Sequence, residues 1–202
     1  MQEAYKIGNA QSIGSYQIQS SYFASRYDDS RCLAVLADGT ADHINGRRCA
    51  VLAAEACMHQ FKNIPERSEV SVFFESLAAK IVRDMHEIIY LGKTPYLSFS
   101  CQYFCDRELY YYSVGGNQVF LFDGSEYHLL KENCGRIRFE RGMTAGIISH
   151  GVWEALNEKE MISYLIKREH PYDKAQKMIM GVKEKNRKIA GNAAVIVVEG
   201  CL

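Results

Sequence analysis

Residues 32–46, CLAVLADGTADHING, decide how the rest of the chain is read. Cys32 to Ala37 is an unbroken apolar run, too short for an ordinary helix, and it ends on the turn pair Asp38-Gly39. This is the pattern of a fully buried strand that delivers a carboxylate at its end. Past the turn the spacing changes. Cys49, Leu52, Ala53, Ala56, Cys57 and Phe61 fall on one stripe at intervals of three and four, which predicts a helix over 45–61.

Working outward, a second helix is expected over 68–92, with Ser68 as N-cap, Glu69 in the first turn and Gly92 at its end. The period then shortens to two. Segments 96–105, 109–114, 118–122 and 126–130 read as strands, separated by Asp106-Arg107, Gly115-Gly116-Asn117 and Asp123-Gly124-Ser125. A further strand is expected over 144–149, helices over 157–167 and 171–185, and a closing buried strand over 193–198, AAVIVV. Strands and helices come in blocks and do not alternate. That order argues for an α+β sheet sandwich and against a doubly wound parallel sheet.

Composition narrows the function classes. The chain has 202 residues, 48% hydrophobic and 24% charged, values that suit one globular domain spanning 1–202. Its 24 basic and 24 acidic side chains cancel, leaving no net field to draw nucleic acid or an anionic membrane. Residues 1–19 show no signal-peptide pattern, and no apolar run is long enough to span a bilayer. A cytoplasmic protein is expected. The seven cysteines are odd in number and lack a CxxC pair, so reduced thiols are expected, with Cys101 and Cys105 on one face of a strand. Tyr110, Tyr111 and Tyr112 should alternate across theirs, and KEKNRK (183–188) reads as a solvated helix end.

Five segments, in order, resemble the metal-dependent protein phosphatase 2C family, also called PPM-type phosphatases. Leu36-Ala37-Asp38-Gly39 through Gly46 resembles its ADGMGGH-x-x-G segment. Ser113 to Gly124 is similar to VGDSR-x-Y-L-x-x-x-G, and Ile148-Ser149-His150-Gly151-Val152-Trp153-Glu154 to SDG-L-W-D/E. Gly191 to Val198 resembles the DN-x-T-V-V-V-V closing strand, and Ile13-Gly14 through Gln19-Ser20-Ser21-Tyr22-Phe23 the IG-x-R…QDSYF opening. The resemblance implies a four-layer αββα sandwich: two antiparallel β-sheets flanked by helix pairs. It also places Trp153 in the core, and the shortness of 131–142 implies that the loop and flap of bacterial members are missing.

The same resemblance implies hydrolysis of phosphoserine and phosphothreonine by a water held between two Mg²⁺ or Mn²⁺ ions. Hard cations of that kind need clustered carboxylates. Here Asp38 is kept, and Gly39 keeps a backbone carbonyl. The opening Asp is replaced by Ser20 (Ser21 if the match slips by one), the Asp of SDG by His150, and the Asp of DN by Gly191. Gly116 and Gln118 stand where the hairpin motif has Asp and Arg, and the phosphate-holding Arg is Tyr16 or Gln17. Asp38 and Gly39 are thus a vestigial metal site, with Asp42 and His150 as possible substitutes in a mixed nitrogen and oxygen set better suited to Zn²⁺ or Mn²⁺. Alternatively His150 fills a vacated pocket and hydrogen-bonds Asp38. His59, His86, His128 and His170 are read as surface residues without a carboxylate partner.

Three functions are therefore in play. The first is a catalytically impaired pseudophosphatase in bacterial signalling, binding a phosphoprotein or regulatory protein partner, with no metal or a residual one. The second is an active serine/threonine phosphatase with a rearranged metal site. The third is an oligomerising module that uses a sheet edge or helix pair.

Overall fold

Sheet pairing follows from the alternation of the strands, and the helices from the stripes that cover them. The computed structural model describes residues 4–39, 43–65, 69–88, 97–185 and 192–201. In chain order the elements are β1 (Tyr5–Ser12), β2 (Ser21–Tyr27), β3 (Arg31–Gly39), α1 (His43–His59), a 3-10 turn (Phe61–Asn63), α2 (Val70–Ile88), β4 (Leu97–Cys105), β5 (Glu108–Val114), β6 (Gln118–Phe122), β7 (Tyr127–Leu130), β8 (Cys134–Arg138), β9 (Thr144–Ile148), α3 (His150–Ala155), α4 (Glu158–Leu165), α5 (Pro171–Lys185) and β10 (Ala193–Gly200).

The strands form two five-stranded sheets. One has the order β1-β10-β9-β6-β7, the other β2-β3-β4-β5-β8, and every pairing is antiparallel. Three apolar clusters hold the layers together. Leu33, Val35, Cys101 and Tyr110 meet Ala53, Cys57, Phe74 and Ile81 where α1 and α2 cover the second sheet. Leu36, Phe104, Val119, Ile147 and Ile196 fill the space between the sheets. Phe120, Ile148, Val195 and Val197 meet Met161, Leu165, Met178 and Val182 where α3, α4 and α5 cover the first. The fold is the expected αββα sandwich. Each large side chain sealed in these layers contributes roughly 1.5–3 kcal/mol against its exposed state.

β3 explains why its sequence is apolar throughout: it has a sheet partner on both edges and a packed layer on both faces. Tyr110 and Tyr112 face the α1/α2 cluster and Tyr111 the opposite one, as the alternation requires. Strands β1, β2 and β8 were not expected, whereas α3 forms where the family resemblance implies a helix start at Trp153. β1 carries Gly8 in mid-strand, a poor strand former. A Cβ there would fall 2.0 Å from the backbone nitrogen of Tyr172, so the close approach of α5 demands glycine. β8, CGRIR, is a polar edge strand inside the short 131–142 segment.

Two expectations need correction. Trp153 is 40% exposed, because it lies on the solvent side of a six-residue helix whose buried contact is Val152. His128 has carboxylate neighbours, Asp123 at 3.6 Å and Glu126 at 3.7 Å, brought to it by the tight 123–126 turn. Ser68 and Gly92, the expected ends of the second helix, lie outside the described residues. Among the described residues no helix is long and apolar enough to cross a membrane.

Candidate functional site

The site lies where β3 runs out of the sheet. Asp38 is 5% exposed, and its Oδ1 accepts hydrogen bonds from both Ser21 Oγ at 2.9 Å and Ser20 Oγ at 3.3 Å. Ser21 sits directly across the β2–β3 ladder from Asp38, so the register itself delivers the hydroxyl. Burial pushes the Asp38 carboxyl above the ordinary carboxylate range. The two hydroxyls and the neighbouring His150 offset this only in part.

Ser20 is fixed by its backbone. Its N–H donates to Asn192 Oδ1 at 3.1 Å, its carbonyl accepts from the Gly39 N–H, and Asn192 Nδ2 donates to the Ile18 carbonyl. Asn192, just before β10, thereby ties the closing strand to the segment before β2. On the other flank Arg47 donates to the Ser21 carbonyl at 2.5 Å, its guanidinium 4.8 Å from the centre of the Tyr22 ring. Tyr22 in turn donates to Glu55 at 2.8 Å.

The glycines of the acidic turn serve packing. A Cβ on Gly39 would lie 2.1 Å from the Gly46 carbonyl oxygen, so the end of β3 and the first turns of α1 meet backbone to backbone. Gly151 meets the Asn192 carbonyl in the same way, at 2.3 Å. Gly116 is different. A Cβ there would find only ordinary contacts, 3.5 Å to Ser98 Oγ and 3.7 Å to His150 Cβ, so the position has room for a side chain. Its N–H donates to Ser98 Oγ at 2.8 Å.

No protein-family model matches the sequence, and no curated protein matches it by sequence. Solved structures do match. A serine/threonine phosphatase of S. agalactiae superposes with a TM-score of 0.76 at 17% identity, over 97% of this chain and 99% of that one. Stp1 of Staphylococcus aureus gives 0.84 at 11% identity, over 98% and 97%. The catalytic domain of the phosphatase PstP, solved in complex with two manganese ions, gives 0.80 at 12% identity, over 98% and 99%. The chain has the fold of the bacterial serine/threonine phosphatases.

Within this phosphatase fold the described residues around Asp38 do not supply the donors of a two-metal centre. Asp38 stands with two serine hydroxyls committed to one of its oxygens. The His150 side chain is 57% exposed, and its Nε2 lies 3.1 Å from Glu154 Oε1, one turn along α3. It reaches Asp38 through space and makes no hydrogen bond with it, because the helix start turns the ring toward solvent. Among the described residues no group of three or more His, Cys, Asp or Glu is arranged to hold a metal. Asp42 and Gly191 lie outside the described residues.

Asp38, Gly39 and His150 are thus brought to one place, and the doubt between Ser20 and Ser21 resolves with both on the carboxylate. Sequence reasoning missed Arg47, Glu55 and Asn192. Arg47 and Glu55 were hidden on the polar face of α1. Asn192 was visible only as part of the closing motif, where it is the retained half of Asp-Asn.

Proposed function

We propose that the protein is a catalytically impaired member of the phosphatase fold that uses the Asp38 cleft to bind a phosphoprotein or regulatory partner. One observation supports this: among the described residues, one buried carboxylate stands at the end of β3, already accepting from Ser20 and Ser21, and no metal-gathering cluster surrounds it. Two divalent ions require several anionic oxygens to replace their hydration shells, and one carboxylate does not supply them.

Losing the cluster also alters what the cleft does to a phosphate. Four carboxylates without their metals repel a phosphoryl dianion. Among the described residues, serine, glycine and histidine in their place leave Asp38 as the one carboxylate bonded to Ser20 and Ser21, and burial raises its pKa. A phosphorylated side chain therefore meets less negative charge there than a full carboxylate cluster would present. Binding without turnover is the chemistry this arrangement supports.

The test is a phosphatase assay with p-nitrophenyl phosphate and phosphoserine peptides under Mg²⁺ and Mn²⁺ titration, with Asp38→Ala as control. Turnover at the background rate in both proteins is expected. Robust metal-dependent turnover that Asp38→Ala abolishes would establish the rearranged-site enzyme instead, with Asp42 and His150 as the ligands to examine next.

A further inference from the structure

A cavity lies at the end of the first sheet away from Asp38. Its volume is about 770 Å³, within the range that takes a small organic ligand. Its floor is a register-matched row across four strands: Lys6 of β1 faces Glu199 of β10, which faces Thr144 of β9, which faces Phe122 of β6. The walls are the 166–170 connection with the first turn of α5, and the turns that hold Gly124 and Gly142.

Charge is concentrated here. Five cationic side chains line the cavity (Lys6, Arg141, Lys167, Arg168 and Lys174) against two carboxylates, Glu169 and Glu199, an excess of three in a chain of zero net charge. Lys174 is built in: its side chain is only 4% exposed and is held 3.2 Å from Glu199 Oε2. Lys6, Arg141 and Arg168 are exposed at the rim, with no carboxylate within ion-pair distance among the described residues. A low-dielectric cleft lined by one sign of charge focuses the field and concentrates the opposite ion.

A second feature narrows the ligand. Glu169 Oε1 is taken by Lys177 at 2.5 Å, but Oε2 is enclosed and has no hydrogen-bond partner. Lys177, with Lys167 and Lys174 nearby, holds the Glu169 carboxyl below the ordinary range, and an anionic oxygen with no donor of its own is an acceptor for a ligand's hydroxyl or amine. We propose that this cavity binds a small phosphomonoester that also carries hydroxyl or amine donors, its phosphate among Arg141, Arg168 and Lys6 and a donor directed at Glu169 Oε2. The site is separate from the Asp38 cleft and stands whether or not that cleft hydrolyses anything.

The experiment is a ¹H–¹⁵N correlation titration of the whole chain with ribose 5-phosphate, adenosine monophosphate, inorganic phosphate and unphosphorylated ribose. Saturable shifts are expected for the first two at the amides of 141–144 and 166–174, with Kd below about 1 mM. Inorganic phosphate should bind the same amides more weakly, and ribose not at all. The double variant Arg141→Glu/Arg168→Glu, with its remaining spectrum unchanged, should bind at least about tenfold more weakly. Glu169→Gln should remove the preference for ribose 5-phosphate over inorganic phosphate. No saturable shift in these two segments up to about 10 mM, equal binding by ribose, shifts confined to the Asp38 cleft, or unchanged affinity in the double variant would each overturn the proposal.

Discussion

Replacing Asp38 by Asn should stabilise the protein. Two opposing effects set the sign. Asn keeps an acceptor oxygen in place for Ser20 and Ser21, so both hydrogen bonds survive, but they weaken from charged to neutral. A bond to a charged group contributes roughly 1.5–3 kcal/mol and a neutral one roughly 0.5–1.5, so the pair loses about 2–3 kcal/mol, less for the long Ser20 contact. Against this, a carboxylate 5% exposed carries a desolvation penalty of several kcal/mol. Burial raises the Asp38 carboxyl despite both hydroxyls and His150, in line with the desolvation penalty being the larger effect. A net gain of about 1–2 kcal/mol is expected, roughly 2–8 °C in Tm for a domain of this size. The sign with pH follows. A native carboxyl that holds its proton more tightly than the unfolded chain costs nothing below about pH 4, and its penalty is complete above its raised native value. The gain should therefore be full only above the raised native value and vanish in acid. Scanning calorimetry of both proteins at pH 7.5 and pH 4, in chelator and in Mn²⁺, checks this. The reasoning is refuted if Asp38→Asn lowers Tm in chelator at pH 7.5, or if Mn²⁺ raises the Tm of the native sequence by several degrees and not that of the variant.

Isothermal titration with Mn²⁺ should show no site tighter than about 1 mM in the native sequence, whereas Ser20→Asp/Gly116→Asp/His150→Asp, which fills the space beside Gly116, should gain one. Gly39→Ala drives a Cβ into the Gly46 carbonyl and should cost about 3 kcal/mol in urea unfolding, while Gly116→Ala, with open surroundings, should stay within about 0.5 kcal/mol. Iodoacetamide mapped by mass spectrometry should label Cys105, Cys134 and Cys201 in the folded protein and spare Cys32, Cys49, Cys57 and Cys101. Burial both blocks those four and pushes the Cys32 thiol up to about 12.

The fold was legible wherever burial was two-sided or periodic. CLAVLA and AAVIVV sit between two layers and so carry no polar alternation to confuse the reading. α1, α2 and α5 kept their stripes because each covers a sheet with one face. β1, β2 and β8 escaped because edges of a sheet are selected for other things. Gly8 exists for the backbone of Tyr172, and the polar alternation of CGRIR suits an edge exposed to water. Trp153 misled for the opposite reason: a motif position implied the core, but the short α3 buries only Val152 and leaves the indole half in solvent.

The candidate site was legible as a list of losses and not as a structure. Ser20, Gly116 and His150 could each be seen to lack a carboxylate, but what replaces the charge depends on register and rotamer. Ser21 opposes Asp38 only because β2 and β3 pair in that register, and both hydroxyls then converge on one oxygen. His150 turns to Glu154 because four residues along a helix is the nearest partner an exposed imidazole has. The backbone at this end of β3 is held without any ion: Gly39 packs against Gly46, Gly151 packs against Asn192, and Asn192 accepts from Ser20.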